Sequence, residues 1–469
     1  MIKIGLEIHC QLTNLESKLL CTCKADYRGF GTNENICPVC MGLPGSLPRL
    51  NREAVKNAMM IAMALNCTVP EKIAFFRKNY FYPDLPKNFQ ITQLNIYGPT
   101  SVGGPGHVML GEKKIRLLRI QLEEDPGRII YEGTSKNMVT LVDYNRAGTP
   151  LVEIVTEPDF ESPRQIREFV NILSDLFENL GVADPSLEGA MRADANISIH
   201  GGKRVEIKNI GSFHDLEKAA HFEITRQESL HSRDMEITQE TRHWDDQRKI
   251  TTSSRSKEED LDYRYFLEGD IPWVRVEQDL MDELRSEMPE SISSKRGRYV
   301  SELGVPDQVA DVLSSDKFYS DLFEKSQTGS NAKEIANLIT TDLMGLVDTR
   351  EKRAASKVTA KHLRDLADSI LAGRISRSSA KDALCEMVKS GKALDQVVSE
   401  MDLGNVSDES EIEKVVLEVV AKEPLAVEQA REDPKALNYL VGKVMKITRG
   451  KADPQITMSL VKKAINARV

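Results

Sequence analysis

The 469-residue chain is 40% hydrophobic and 29% charged, the make-up of a soluble globular protein with room for about three domains. No apolar run approaches the roughly 20 residues of a membrane span. The first residues lack the basic start and apolar stretch of a signal peptide, so the cytoplasm is the expected compartment. A net charge of −9 argues against a general nucleic-acid binder.

The chain opens with MIKIGLEIHCQL. Ile2, Ile4, Leu6, Ile8, Cys10 and Leu12 are apolar, whereas Lys3, Glu7, His9 and Gln11 are polar. This period of two predicts a half-buried strand whose polar face carries a carboxylate and an imidazole two residues apart. Alternating segments recur at 114–124, 138–144, 195–199 and 204–210, separated by Gly and Pro turns such as YGPTSVGGPG and EEDPGR. A helix is predicted over 51–66, capped by Asn51. Another is predicted over 163–180, with Ser162 as N-cap, Pro163 in the first position and Gly181 past the end. Ile166, Phe169, Ile172, Leu173, Leu176, Phe177 and Leu180 form its apolar stripe. After about 295 the strand signal stops. The expected order is α+β, with a sheet domain over 1–294, a helical domain over 295–403 and, from the linker MDLGNVSDESE onward, a small helical tail over 404–469.

Cys21, Cys23, Cys37 and Cys40 form two close pairs, CTC and CPVC, separated by a loop. Four thiolates so spaced suit one tetrahedral structural zinc, with a redox pair or incidental thiols as alternatives. Carboxylates form a second group. QLEEDPGR carries Glu123, Glu124 and Asp125 at a strand end. MRADANISIH sets Asp194 and Asn196 on one face, and RVEIKNIGSF sets Glu206 and Lys208 on one face. Taken singly, each pair reads first as a solvated strand surface. Their recurrence, together with Glu7 and His9, raises a shared Mg²⁺ site beside a nucleotide phosphate. In FFRKNYFYPDLPKNFQITQ, Lys78 could meet a phosphoryl group, although a plain strand with one exposed face explains the stretch equally well. Neither a Walker A loop nor G-x-G-x-x-G is present. The last thirty residues hold seven basic residues and one acidic, a charge of +6 that leaves −15 on the remainder. Such an end can bind phosphates or be a solvated helix face.

GLEIHCQL, CPVCMGLPGSLPRLNREAV, RKNYFYPDLPKNFQITQ, LEEDPGR, YNRAGTPLVEIVTEPD, MRADANISI, VEIKNIGSF, QETRHWD, RSKEEDLDYRYF and NYLVGKVMKITRGKADP follow one another along the chain. In this order they closely resemble the B subunit of the aspartyl/glutamyl-tRNA amidotransferase, over essentially the whole length. The resemblance implies an antiparallel-sheet cradle that uses ATP and Mg²⁺ to phosphorylate the side-chain carboxylate of Glu-tRNA(Gln) or Asp-tRNA(Asn). It also implies ammonia channelled from the glutaminase (A) partner, a small C partner that ties the two together, and contact with the cognate aminoacyl-tRNA synthetase. It assigns Mg²⁺ to Glu7, His9, Glu124 and Asp194 and catalysis to these with Lys78 and Glu206. Glu123, Asn196, Lys208 and Arg146 are assigned to nucleotide or substrate, and zinc to Cys21, Cys23, Cys37 and Cys40. Lys443, Lys446, Arg449 and Lys451 of the tail are assigned to tRNA. The alternative is a zinc-containing tRNA-binding scaffold without chemistry of its own.

Overall fold

The computed structural model describes residues 1–133, 137–256, 262–403, 409–430, 434–448, 452 and 454–466. The chain forms two compact units, Met1–Ser291 and Ile292–Val469.

The first unit carries the strands. They are β1 (Ile2–Gln11), β2 (Lys72–Ile73), β3 (Phe76–Asn79), β4 (Phe89–Thr92), β5 (Gly106–Leu110), β6 (Lys113–Glu124), β7 (Arg128–Glu132) and β8 (Val139–Asp143). There follow β9 (Pro150–Thr156), β10 (Met191–Ile199), β11 (Val205–Lys208), β12 (Glu240–Asp245), β13 (Ile250–Ser256), β14 (Phe266–Leu267) and β15 (Val274–Arg275). Eight of them build one sheet in the order β13-β12-β11-β10-β1-β9-β6-β5. The first strand of the chain is therefore central, flanked by β10 and β9. The small sheet β14-β3-β4 carries Lys78.

Four helices complete this unit's core: α1 (Arg52–Ala64), α2 (Pro163–Leu180), α3 (Phe213–His231) and α4 (Gln278–Glu287), the last through Leu284. Asn51 caps α1 by accepting from the backbone N–H groups of Glu53 and Ala54. Ser162 caps α2, and Gly181 closes it at φ 70, a left-handed conformation suited to glycine. Ile4, Leu6 and Ile8 of β1 meet Ala195 and Ile197 of β10, Phe169 and Leu173 of α2, and Ala219 of α3 in one core. Burying that face leaves the opposite polar face of the sheet for the site.

The sheet departs in one place from the expected antiparallel cradle, because β11 pairs with β12 in parallel. The 19-residue helix α3 lies between them and supplies the long crossover that a parallel pair requires.

The second unit is helical among the described residues. One core draws on residues from Tyr299 to Val397, and another on residues from Ile412 to Ile465. The latter comprises the helices Glu409–Lys422, Pro424–Gln429, Pro434–Ile447 and Pro454–Asn466.

Candidate active site

Residues directly opposite one another on paired strands point to the same face. Register therefore assembles the site. Glu7 lies opposite Asp194, and His9 opposite both Arg192 and Glu153. Gln121 lies opposite Glu153, and Glu206 opposite Asn196. The polar alternate positions of five strands thus share one surface.

At its centre His9 Nε2 lies 3.5 Å from Glu153 Oε2, 3.7 Å from Glu7 Oε1 and 3.8 Å from Glu123 Oε1. Thr92 Oγ1 donates to Glu123 at 2.9 Å. Beside this cluster Lys208 Nζ lies 3.1 Å from Glu206 and 3.4 Å from Asp194. Thr241 donates to the other Glu206 oxygen at 2.9 Å. Glu7, Lys78, Glu123, Glu153, Glu206 and Lys208 all line a cavity of about 240 Å³, with Tyr263 and Tyr265 in its wall. The Lys78 ammonium stands 4.9 Å from the centre of the Tyr263 ring and 5.7 Å from that of Tyr80.

Crowded carboxylates shift one another. Burial, then repulsion from Glu153, pushes Glu123 up to about 7. Burial and the same neighbour raise Glu7. Burial works against a charged His9, but its hydrogen bond with Glu153 and the Glu123 carboxylate outweigh it, so His9 is raised. Burial likewise opposes the Lys78 charge, and Glu123 restores it, leaving Lys78 raised.

The donor set fits a divalent cation. Single donor atoms of Glu7, His9 and Glu153 all lie within 4.8 Å of one another. His9 turns Nε2 to these carboxylates, and its other ring nitrogen, Nδ1, is buried without a hydrogen-bond partner. The carboxylate oxygens are donors of the kind Mg²⁺ or Mn²⁺ takes, whereas the imidazole is a ligand common to many divalent transition metals.

Glu124 does not join this group. Consecutive strand residues face opposite ways, so Glu124 turns from Glu123. Its carboxylate takes Lys87 Nζ at 2.5 and 2.6 Å and the backbone N–H of Ile91 at 2.9 Å. Arg146 is a turn residue: it donates to the carbonyls of Pro126 and Gly127 at 2.9 and 2.7 Å. Asp125 in that turn accepts from Arg192 at 3.0 Å and Gln11 at 2.8 Å.

Sequence reasoning misses Glu153. In TPLVEIVTEPD it is a charge inside an apolar run, and that is the signal that could find it. Arg119 and Gln121 are missed as well, because on a strand they look like an outer solvated face.

Sulfurs of Cys21, Cys23, Cys37 and Cys40 also lie within 4.8 Å of one another. The Cys37 N–H donates to Cys40 Sγ at 3.1 Å. Cys40 is pulled down to about 5, by hydrogen bonding from Cys21 first and by the Lys18 ammonium, against the opposing effect of burial. The quartet can hold one tetrahedral zinc with no open position. In the tail, Lys443 pairs with Glu423 at 2.9 Å. Lys446 lies in the last turn of Pro434–Ile447. Arg449 and Lys451 lie outside the described residues.

A mixed sheet with an acidic, imidazole-bearing face, followed in the chain by helical modules, defines a catalytic domain joined to accessory helical domains. Residues 2–282 match the GatB/GatE catalytic domain and residues 321–465 the GatB domain. The chain belongs to the B-subunit family of the aspartyl/glutamyl-tRNA(Asn/Gln) amidotransferase. It is 45% identical to the B subunit from Sulfurisphaera tokodaii over the whole of both chains. Identity to the Sulfolobus acidocaldarius relative is also 45%, over 99% of this chain and 100% of the relative. Identity to the Thermotoga maritima relative is 40%, over 98% of each.

Proposed function

We propose that the polar sheet face phosphorylates the side-chain carboxylate of Glu-tRNA(Gln) or Asp-tRNA(Asn) at the expense of ATP, and then lets ammonia displace the phosphate. The observation that carries this reading is the convergence of Glu7, His9, Glu123 and Glu153 from three adjacent strands, with Lys78 and Lys208 beside them. A scaffold has no need to hold this many carboxylates around one imidazole.

A carboxylate is a poor acyl donor, and phosphorylation supplies its leaving group. Phosphoryl transfer needs alignment and charge neutralisation more than covalent help. Glu7, His9 and Glu153 would hold Mg²⁺, with Glu153 in the place that the resemblance assigns to Glu124, and Glu123 stands next to them. When bound, the cation neutralises charge on the phosphates. Lys78 neutralises the transferring group, and its two tyrosine neighbours hold it in place. Lys208, steadied by Asp194 and Glu206, faces the anionic substrate alongside Asn196. Glu206, fixed by Thr241, accepts a proton from the attacking ammonia as phosphate leaves. Arg146, acting through the turn it clamps, positions rather than touches.

Ammonium is not a nucleophile, so ammonia must reach the acyl phosphate by a sheltered route. This supports a glutaminase (A) partner together with a small C partner, and on the tRNA side the cognate aminoacyl-tRNA synthetase. The quartet would hold one structural zinc per chain. The basic tail would bind tRNA phosphates, and the chain would work in the cytoplasm. No helix among the described residues is long and apolar enough to cross a membrane.

The test is reconstitution with the two partner proteins, misacylated tRNA, ATP and glutamine. Glu7→Gln and His9→Ala should lose tRNA-dependent ATP hydrolysis by roughly a hundredfold or more, while tRNA binding and assembly survive. Wild-type hydrolysis in either variant overturns the reading.

A further inference from the structure

We propose that Lys18 is the counter-charge of the four-cysteine centre and controls how tightly that centre holds its metal. The proposal rests on the structural-zinc reading above and extends it to a residue outside the ligand set.

Lysine is almost never fully buried unless paired, yet Lys18 has no exposed surface. No carboxylate of the described residues lies within ion-pair distance of it. Its ammonium donates to the backbone carbonyl of Asn35 at 2.8 Å and to Cys40 Sγ at 3.9 Å. The carbonyl is a dipole without net charge. The sulfur is thus the anion that a buried ammonium requires.

The surroundings are built to keep this contact. Lys18 N–H donates to the carbonyl of Cys23 at 2.9 Å, so its own backbone is tied to a second member of the quartet. Asn35, whose carbonyl takes the ammonium, is itself fixed: its N–H donates to Asn145 Oδ1 at 2.7 Å, and its side chain bonds both Lys24 N–H and the Lys24 carbonyl. Gly148 closes the other side at φ +85. A Cβ there would lie 3.6 Å from both Cys40 Cβ and Lys18 Cδ. The lysine stem and the cysteine therefore both pack against Gly148.

Charge balance gives the consequence. Zn²⁺ with four thiolates carries a net charge of −2, and dry surroundings make that charge costly. One adjacent ammonium halves it. Groups just outside a metal's ligands, when removed, typically weaken metal affinity by about ten- to a hundredfold. The dependence is mutual, because without ionised sulfur the ammonium has no anion.

The experiment compares full-length wild type with Lys18→Met, which keeps length and packing but removes the charge. Zinc affinity is measured by chelator competition, and a cobalt-substituted sample of each is read by its thiolate-to-metal absorption band. The expected result is zinc held about ten- to a hundredfold more weakly in Lys18→Met, with the cobalt band moved to lower energy as the thiolates become richer in electrons. Should Lys18→Met fail to fold, Lys18→Gln, which retains a donor for the Asn35 carbonyl, carries the same comparison. Equal affinity and an unmoved band, in a wild type that does hold zinc, overturn the role of Lys18 alone. A wild type that binds no zinc overturns it together with the structural-zinc reading.

Discussion

Asp125 shows what a single buried charge does here. Its side chain is fully enclosed and holds Arg192, Arg146 and Gln11. Burial alone would raise its pKa, but the two guanidinium groups outweigh burial and lower it. A carboxylate with a depressed folded pKa stabilises fully above its unfolded value, near 4, and that contribution fades as pH falls through the folded value. Asp125→Asn should therefore cost about 1–3 kcal/mol at neutral pH, and the gap to wild type should narrow below about pH 4. Urea unfolding across pH 3–7 reads both. Residue-scale features are legible in the sequence where parity is strict. Glu7 and His9 stand out because every second neighbour is apolar. Glu153 is hidden because Leu151, Val152, Ile154 and Val155 surround it, so nothing alternates. Glu124 groups with its neighbour Glu123 by adjacency, whereas a pleated strand separates adjacent residues. Glu153→Gln should impair ATP hydrolysis as severely as His9→Ala, in the same reconstituted assay.

Among the elements, helices with chemical end signals are the most legible. Asn51 and Ser162 cap the helices they are expected to cap, because a cap depends on residues within one turn. Asn51→Ala should destabilise the first unit by about 1 kcal/mol, seen as a lower denaturant midpoint with unchanged slope. Leu173, fully buried on the apolar stripe of α2, should cost about 2–5 kcal/mol when cut to alanine. The parallel pairing of β11 with β12 is not legible. Two short strands joined by a helix offer no local mark of direction, and only the crossover geometry decides it.

At the scale of the whole molecule, the core built from residues Ile412 to Ile465 draws on that segment alone. Truncation near Ser410 should leave the melting of the remaining chain intact. If the basic tail grips tRNA, affinity should fall and its dependence on salt should flatten, as filter binding at several salt concentrations would measure. The central place of β1 has a consequence for synthesis. Its residue Ile2 pairs with Ile199, and Gln11 pairs with Leu151. At about 5–20 residues per second, a ribosome needs on the order of 10–40 s to make both neighbours of the strand it made first. Through that interval Ile4, Leu6 and Ile8 lack the paired strands β9 and β10 and the helices α2 and α3 that bury them in the finished fold.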